Sequence, residues 1–167
     1  LTFTNKDLNN AFWCKLSKQL FIGDYFGKSF AKSLDVMGHE FTHGVVQYTA
    51  NFAGSPKKGD YNKAFEPGAL NEAYADIIGN AIEGKNWTVS ESIQAGRDAS
   101  NPFAFKDPIE KGGEYYWPDG YLSEDYDLNA ILEYNNLQYV TDYDEGGVHQ
   151  NSTVVSHAAY LMEKSGA

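Results

Sequence analysis

A single cysteine, Cys14, stands in 167 residues, so no internal disulfide can form and the redox compartment cannot be read from thiol usage. Basic residues are scarce too: 13 Lys and Arg face 23 Asp and Glu, a formal charge of -10, and the few cations are scattered. Nucleic acid and anionic membrane surfaces both reward clustered Lys and Arg, so neither is an expected partner. No apolar run is long enough to cross a bilayer. Nothing at the amino end resembles a signal peptide, and the chain opens on Leu1, so a processed product or a cut chain is expected. What is present is 42% hydrophobic and 15% aromatic content, enough to bury an ordinary core and to predict one dominant domain over residues 1–167.

Three helices are predicted. The first runs from about Ser33 to Ala50, with Leu34, Met37, Phe41, Val45 and Tyr48 recurring at helical spacing and Ser33 as its cap. The second begins after Pro67, a residue favoured in a first turn, and carries Leu70, Ala73, Tyr74, Ile77, Ile78 and Ala81 before Gly84 stops it. The third follows Asn151-Ser152 and ends at Gly166, with His149 just ahead of its first turn. Phe12-Trp13 and Leu20-Phe21-Ile22 predict a short hairpin or edge strand. Within residues 102–147, Glu114 to Trp117 and Gln138 to Val140 read as strands and Leu128 to Tyr134 as a short helix; the aromatic residues there are assigned to packing by default.

The most informative stretch is His39-Glu40-Phe41-Thr42-His43. Two imidazoles four apart on a helix point the same way and can grip one divalent metal, which leaves Glu40 placed to act on a bound water. The same spacing also arises on solvated helix faces with no metal. A catalytic zinc takes three side chains and keeps one position for water, and a carboxylate is a frequent third ligand. Glu72 is the best candidate, on a separate helix able to pack antiparallel to the first; its apolar neighbours Leu70, Ala73, Ile77 and Ile78 argue against an ordinary exposed acid. Asp76, one turn later, can hold a ligating histidine through its free ring nitrogen. Cys14, beside Phe12 and Trp13, reads as a small packed hydrophobe rather than a nucleophile.

These residues resemble the thermolysin-like zinc metallopeptidases, in which His-Glu-x-x-His on one helix and Asn-Glu-Ala-x-x-Asp on the next supply the metal site. The likeness runs in order from Asn9-Asn10-Ala11-Phe12-Trp13, through Asp35 and the His39 helix, to Gly146-Gly147-Val148-His149-Gln150-Asn151-Ser152. The resemblance implies an α+β fold, mainly helical, with a short antiparallel sheet edge along the active-site cleft. It implies zinc held by His39, His43 and Glu72, with Glu40 as general base, Asp76 orienting His39 and Asn71 supporting His43. His149 matches the donor to the developing oxyanion and Asp144 the acid that orients it. Asn10 and the backbone of Ala11 match groups that bind substrate as an added strand, and Arg97 matches an arginine that binds a substrate carbonyl. The implied partner is a peptide or protein substrate of an exported, monomeric enzyme.

Departures from the family pattern are local. Residues Ser55 to Asp60 read as an inserted surface loop between His43 and Glu72, and the assisting tyrosine is assigned to Tyr61 there. Asp35, Glu83 and Glu91 match calcium-binding acids, while Asn86 and Thr88 stand where further acids are usual, so one Ca2+ is expected rather than two. Val36, Val89 and Ile93 match apolar residues of the primary specificity pocket, which implies cleavage on the amino side of hydrophobic residues; Gly96 there predicts a wider pocket. His157, with no motif around it, reads as an exposed or capping residue. Most of the family's amino-terminal sheet-rich lobe and its last helices have no counterpart, so a partial chain is expected. The alternatives are an inactive fragment and a metal-stabilised binding module; the latter needs none of Glu40, His149 and Asp144.

Overall fold

The computed structural model describes residues 2–5, 7–52, 61–93, 96–102, 109–111, 114–116 and 144–166. The elements in chain order are β1 (Thr2–Thr4), β2 (Ala11–Cys14), β3 (Gln19–Ile22), β4 (Asp24–Tyr25), β5 (Lys28–Ser29), a 3-10 turn (Phe30–Lys32), α1 (Leu34–Tyr48), α2 (Tyr61–Glu83), β6 (Ile109–Lys111), β7 (Glu114–Tyr116) and α3 (Asp144–Ser165). This is the expected α+β class. Two compact units divide the chain: Leu1–Phe52 with Tyr74–Arg97, and Ala53–Ala73 with Asp98–Ala167.

In the first unit the predicted hairpin forms, β2 lying antiparallel to β3 with Phe12 opposite Phe21. The rings of these two residues stack with centroids 5.0 Å apart. β1 joins the other side of β3 in parallel, so β2 is an edge strand of this sheet. Ala11, Ile22 and Phe30 form one buried cluster with Val36 of α1 and with Val89 and Ile93. Burying a side chain of the size of Ile22 or Phe30 contributes about 1.5–3 kcal/mol, which fixes the sheet against the start of α1.

The buried face of α1 differs from the predicted one. Leu34, Phe41, Val45 and Tyr48 are exposed, and the face turned inward carries Asp35, Val36, Gly38, His39, Glu40, Thr42, Gly44 and Val46. Small residues and satisfied polar groups let the second helix come close. A Cβ added to Gly38 would lie 3.1 Å from the Gly79 Cα, and one added to Gly79 would lie 2.6 Å from the Asp35 carbonyl oxygen. The contacts of His39 with Asp76, and of Asp35 with Gly79, show the Tyr74–Glu83 portion of α2 running antiparallel to α1. Thr42, fully buried, returns its hydroxyl to the Gly38 carbonyl at 2.7 Å.

Two predicted helix starts are corrected. α2 begins at Tyr61, so Pro67 lies inside it and not in its first turn; an interior proline removes one backbone donor and crowds the carbonyl four residues before it, at a cost of about 3 kcal/mol. α3 begins at Asp144, so Gly146, Gly147 and His149 are helical. In the second unit the glycine cost, about 1 kcal/mol each, is offset by packing. Val148 is buried against Gly68 of α2, and Ser152, Thr153 and Ser156 of α3 are buried too. The Ser152 hydroxyl donates to the His149 carbonyl at 2.6 Å. His157 is not exposed: its Nδ1 lies 2.7 Å from the Ala99 carbonyl, which ties the Asp98–Pro102 segment to α3. Strand β7 falls within the predicted Glu114 to Trp117, pairing with β6; Gln138 to Val140, Leu128 to Tyr134 and the Ser55 to Asp60 loop lie outside the described residues.

Candidate metal centre

Helical spacing brings the two histidines of α1 together in the first unit. His39 Nε2 and His43 Nε2 are 3.0 Å apart, with ring planes at 89°. Two nitrogens at about 2.0–2.1 Å from one tetrahedral cation would stand roughly 3.3–3.4 Å apart, so a few tenths of an ångström suffice to seat an ion between them. The other nitrogen of His39, Nδ1, is 2.8 Å from Asp76 Oδ1. A carboxylate on Nδ1 selects the tautomer whose Nε2 carries the lone pair, the form a metal needs. This donor chemistry fits zinc.

Asp76 is buried and held from a second side. Arg97 donates through Nε to Asp76 Oδ2 at 2.6 Å and through Nη2 to Oδ1 at 2.7 Å. Burial on its own would push the Asp76 carboxyl up; the charge and hydrogen bonds of Arg97, then those of His39, override it and hold the group at about 2. Nothing in the sequence spacing signals that Arg97 grips Asp76, because the two lie on different elements.

Glu40 is largely buried, and its Oε2 accepts the backbone N–H of Trp13 at 2.9 Å. Trp13 is fixed in turn: its indole N–H donates to Gln47 Oε1 at 2.7 Å, and its ring lies against Gly44, where a Cβ would stand 3.1 Å from it. Sequence reasoning missed this brace; Gly44, directly after His43, is its only trace. On the same edge strand, Asn10 Oδ1 accepts the Ala11 N–H at 2.9 Å, so the Ala11 donor is engaged within the chain. Val36, Val89 and Ile93 are packed together in the core cluster. At Gly96 a Cβ would sit 1.9 Å from the Val89 carbonyl oxygen, so glycine there answers a close backbone approach. Cys14 is partly exposed with a free thiol, less packed than expected.

In the second unit, Glu72 and His149 meet, Glu72 Oε2 lying 3.1 Å from His149 Nε2. Glu72 lies on α2, four residues before Asp76 in the sequence. Asn71 Oδ1 is buried with no hydrogen-bond partner among the described residues. Tyr61 and Asp144 are the first residues of α2 and α3; their side chains lie outside the described residues.

A second acidic cluster lies in the first unit. Carboxylate oxygens of Asp35, Glu83 and Glu91 come within 4.8 Å of one another. Asp35 is held by the Ser33 hydroxyl and the Ser90 N–H. Glu83 Oε2 and Ser90 Oγ are buried with no hydrogen-bond partner among the described residues. Orphaned buried oxygens beside grouped carboxylates suit a hard cation such as calcium.

Two imidazoles converging on one side, with a carboxylate on the back nitrogen of one of them, make an arrangement able to hold a metal ion. The family model described as thermolysin metallopeptidase, alpha-helical domain, matches residues 60–167, and the one described as thermolysin metallopeptidase, catalytic domain, matches residues 2–47. The chain belongs to the thermolysin metallopeptidase family. It is 35% identical over 159 residues to neutral protease NprE of Bacillus pumilus, covering 91% of this chain and 43% of that protein. It is 35% identical to bacillolysin of Bacillus subtilis subsp. amylosacchariticus, covering 91% of this chain and 25% of the relative, and 33% identical to thermolysin of Alicyclobacillus acidocaldarius, covering 95% and 25%. The chain thus spans between a quarter and somewhat under half the length of these relatives.

Proposed function

We propose that this chain carries the zinc site of an exported, monomeric endopeptidase that hydrolyses peptide bonds with Glu40 as general base. The observation that carries the reading is the 3.0 Å approach of the two Nε2 atoms, with the Glu40 carboxylate held by the Trp13 N–H. His39, His43 and Glu72 are the ligands. Zinc, when bound, supplies Lewis acidity that polarises the scissile carbonyl and lowers the pKa of water towards about 7. Glu40 takes a proton from the attacking water and passes it to the leaving amine. His149 donates to the carbonyl oxygen as charge gathers there, worth on the order of 2.7–4 kcal/mol for a donor of this kind, with Asp144 orienting it and Tyr61 assisting.

Asp76 and Asn71 hold the imidazoles of His39 and His43. Arg97 holds Asp76 and binds a substrate carbonyl. Asn10 and Ala11 receive the substrate as a strand along β2, and Val36, Val89 and Ile93 set a preference for hydrophobic residues on the carboxyl side of the cleaved bond. Asp35, Glu83 and Glu91 bind one Ca2+.

The test is zinc content together with hydrolysis of a quenched fluorescent peptide, for the wild type and Glu40→Ala. One zinc per chain in both, with hydrolysis by the wild type alone, is expected; equal hydrolysis by both overturns the assignment of Glu40.

A further inference from the structure

Each carboxylate of the Asp35–Glu83–Glu91 cluster is engaged differently. Both oxygens of Asp35 accept hydrogen bonds, from Ser33 and Ser90. Glu91 Oε1 accepts from the Asn86 side-chain amide at 2.8 Å, and Asn86 is itself fixed by the Thr88 N–H, which donates to its Oδ1 at 2.7 Å. Glu83 is divided. Its Oε1 accepts from the Lys85 ammonium at 2.7 Å, whereas its Oε2 is buried with no hydrogen-bond partner among the described residues. The Glu83 side chain is only 3% exposed, so the orphaned oxygen faces inward while Lys85, 69% exposed, covers the outer side.

Charge arithmetic then constrains the occupant. Asp35, Glu83 and Glu91 bring three negative charges, and Asn86 contributes a donor but no charge. One positive charge from Lys85 leaves a net of minus two, which a single divalent cation neutralises. A second would be left without compensation. Lys85 also sits just past the end of α2, where the helix carbonyls add negative potential and favour a cation.

We propose that Lys85 is a tethered counter-ion of this cluster: it takes the charge that a second cation would neutralise, restricts the site to one divalent ion bound on the Glu83 Oε2 side, and weakens that ion's hold. The proposal rests on the calcium reading given above. The distinctive consequence is that losing a side chain in contact with the site improves binding, the opposite of what losing a ligand does.

The experiment is calcium titration by calorimetry on the full chain, freed of metal with EGTA and exchanged into EGTA-free buffer, with circular dichroism confirming the fold of each variant. Wild type should bind one Ca2+. Lys85→Gln should bind about tenfold more tightly, the effect of removing one nearby charge at a protein surface, with the gain shrinking as NaCl is raised. Lys85→Arg, which keeps the charge, should stay within about twofold of wild type by the same argument, and Glu83→Gln should lose binding. The calcium-induced rise in melting temperature should follow the same order. Unchanged or weaker binding by Lys85→Gln overturns the role of Lys85 while leaving the calcium site standing. No calcium uptake by either wild type or Lys85→Gln overturns the site and the counter-ion together.

Discussion

Asp76 and Glu83 lie two turns apart on α2, both nearly sealed from solvent, yet their charges are balanced in opposite ways. Asp76 is answered from within the chain by Arg97 and His39. Glu83 is answered on one oxygen by a surface lysine and on the other by nothing among the described residues. A carboxylate satisfied internally can serve as fixed scaffolding for a ligand. One left half satisfied is, on the calcium reading proposed above, where an ion from outside completes the balance.

The largest effect that breaks this contrast is expected from Arg97→Leu. It strips a buried carboxylate of its counter-charge and should destabilise the chain by about 3–5 kcal/mol, read from the urea denaturation midpoint. A loss below about 1 kcal/mol, the range of an exposed pair, would show that Asp76 does not depend on Arg97. The acid limb of stability comes next. The Asp76 carboxyl sits at about 2 in the folded chain against an ordinary 3.8, so its contribution is complete above about pH 4 and is lost as pH falls through 2. That difference amounts to roughly 2 kcal/mol. In metal-free protein, Asp76→Asn should lack this part of the pH dependence; an identical acid limb in the variant would assign it to other groups.

Glu83→Gln sharpens the comparison with a small effect. In metal-free protein the change removes a buried charge that is only half compensated, and stability should move by less than about 1 kcal/mol, in either direction. A loss as large as that of Arg97→Leu would place Glu83 in the same self-sufficient class as Asp76. The smallest change belongs to Lys85→Gln without metal, whose melting temperature should match wild type, because an exposed ion pair contributes little.

What could be read from the chain without coordinates was whatever depends on short spacing. The spacing of four from His39 to His43 fixes the facing of two imidazoles, and the alternation around Phe12 and Phe21 fixes a hairpin. Facing relative to the core was harder. The apolar positions Leu34, Phe41, Val45 and Tyr48 do mark a helix, but its buried side is set by Gly38, Thr42 and Gly44, whose value is closeness rather than hydrophobicity. Helix starts were misplaced at Pro67 and at Asn151-Ser152, because Pro67 and the Gly146-Gly147 pair, which end helices in isolation, lie inside the helices here. The Trp13 brace on Glu40 and the Arg97 grip on Asp76 join residues 27 and 21 positions apart on different elements. Residue order along one chain gives no rule for such meetings.

The contact between Gly38 and Gly79 has a consequence for how this centre tolerates change. With backbone against backbone, the helices have no compressible layer between them, so their separation works as a mechanical stop that sets the height of the His39 ring above the Asp76 carboxylate. A methyl group at position 79 would act as a shim, lifting one helix off the other and retuning the imidazole without touching any group that does chemistry.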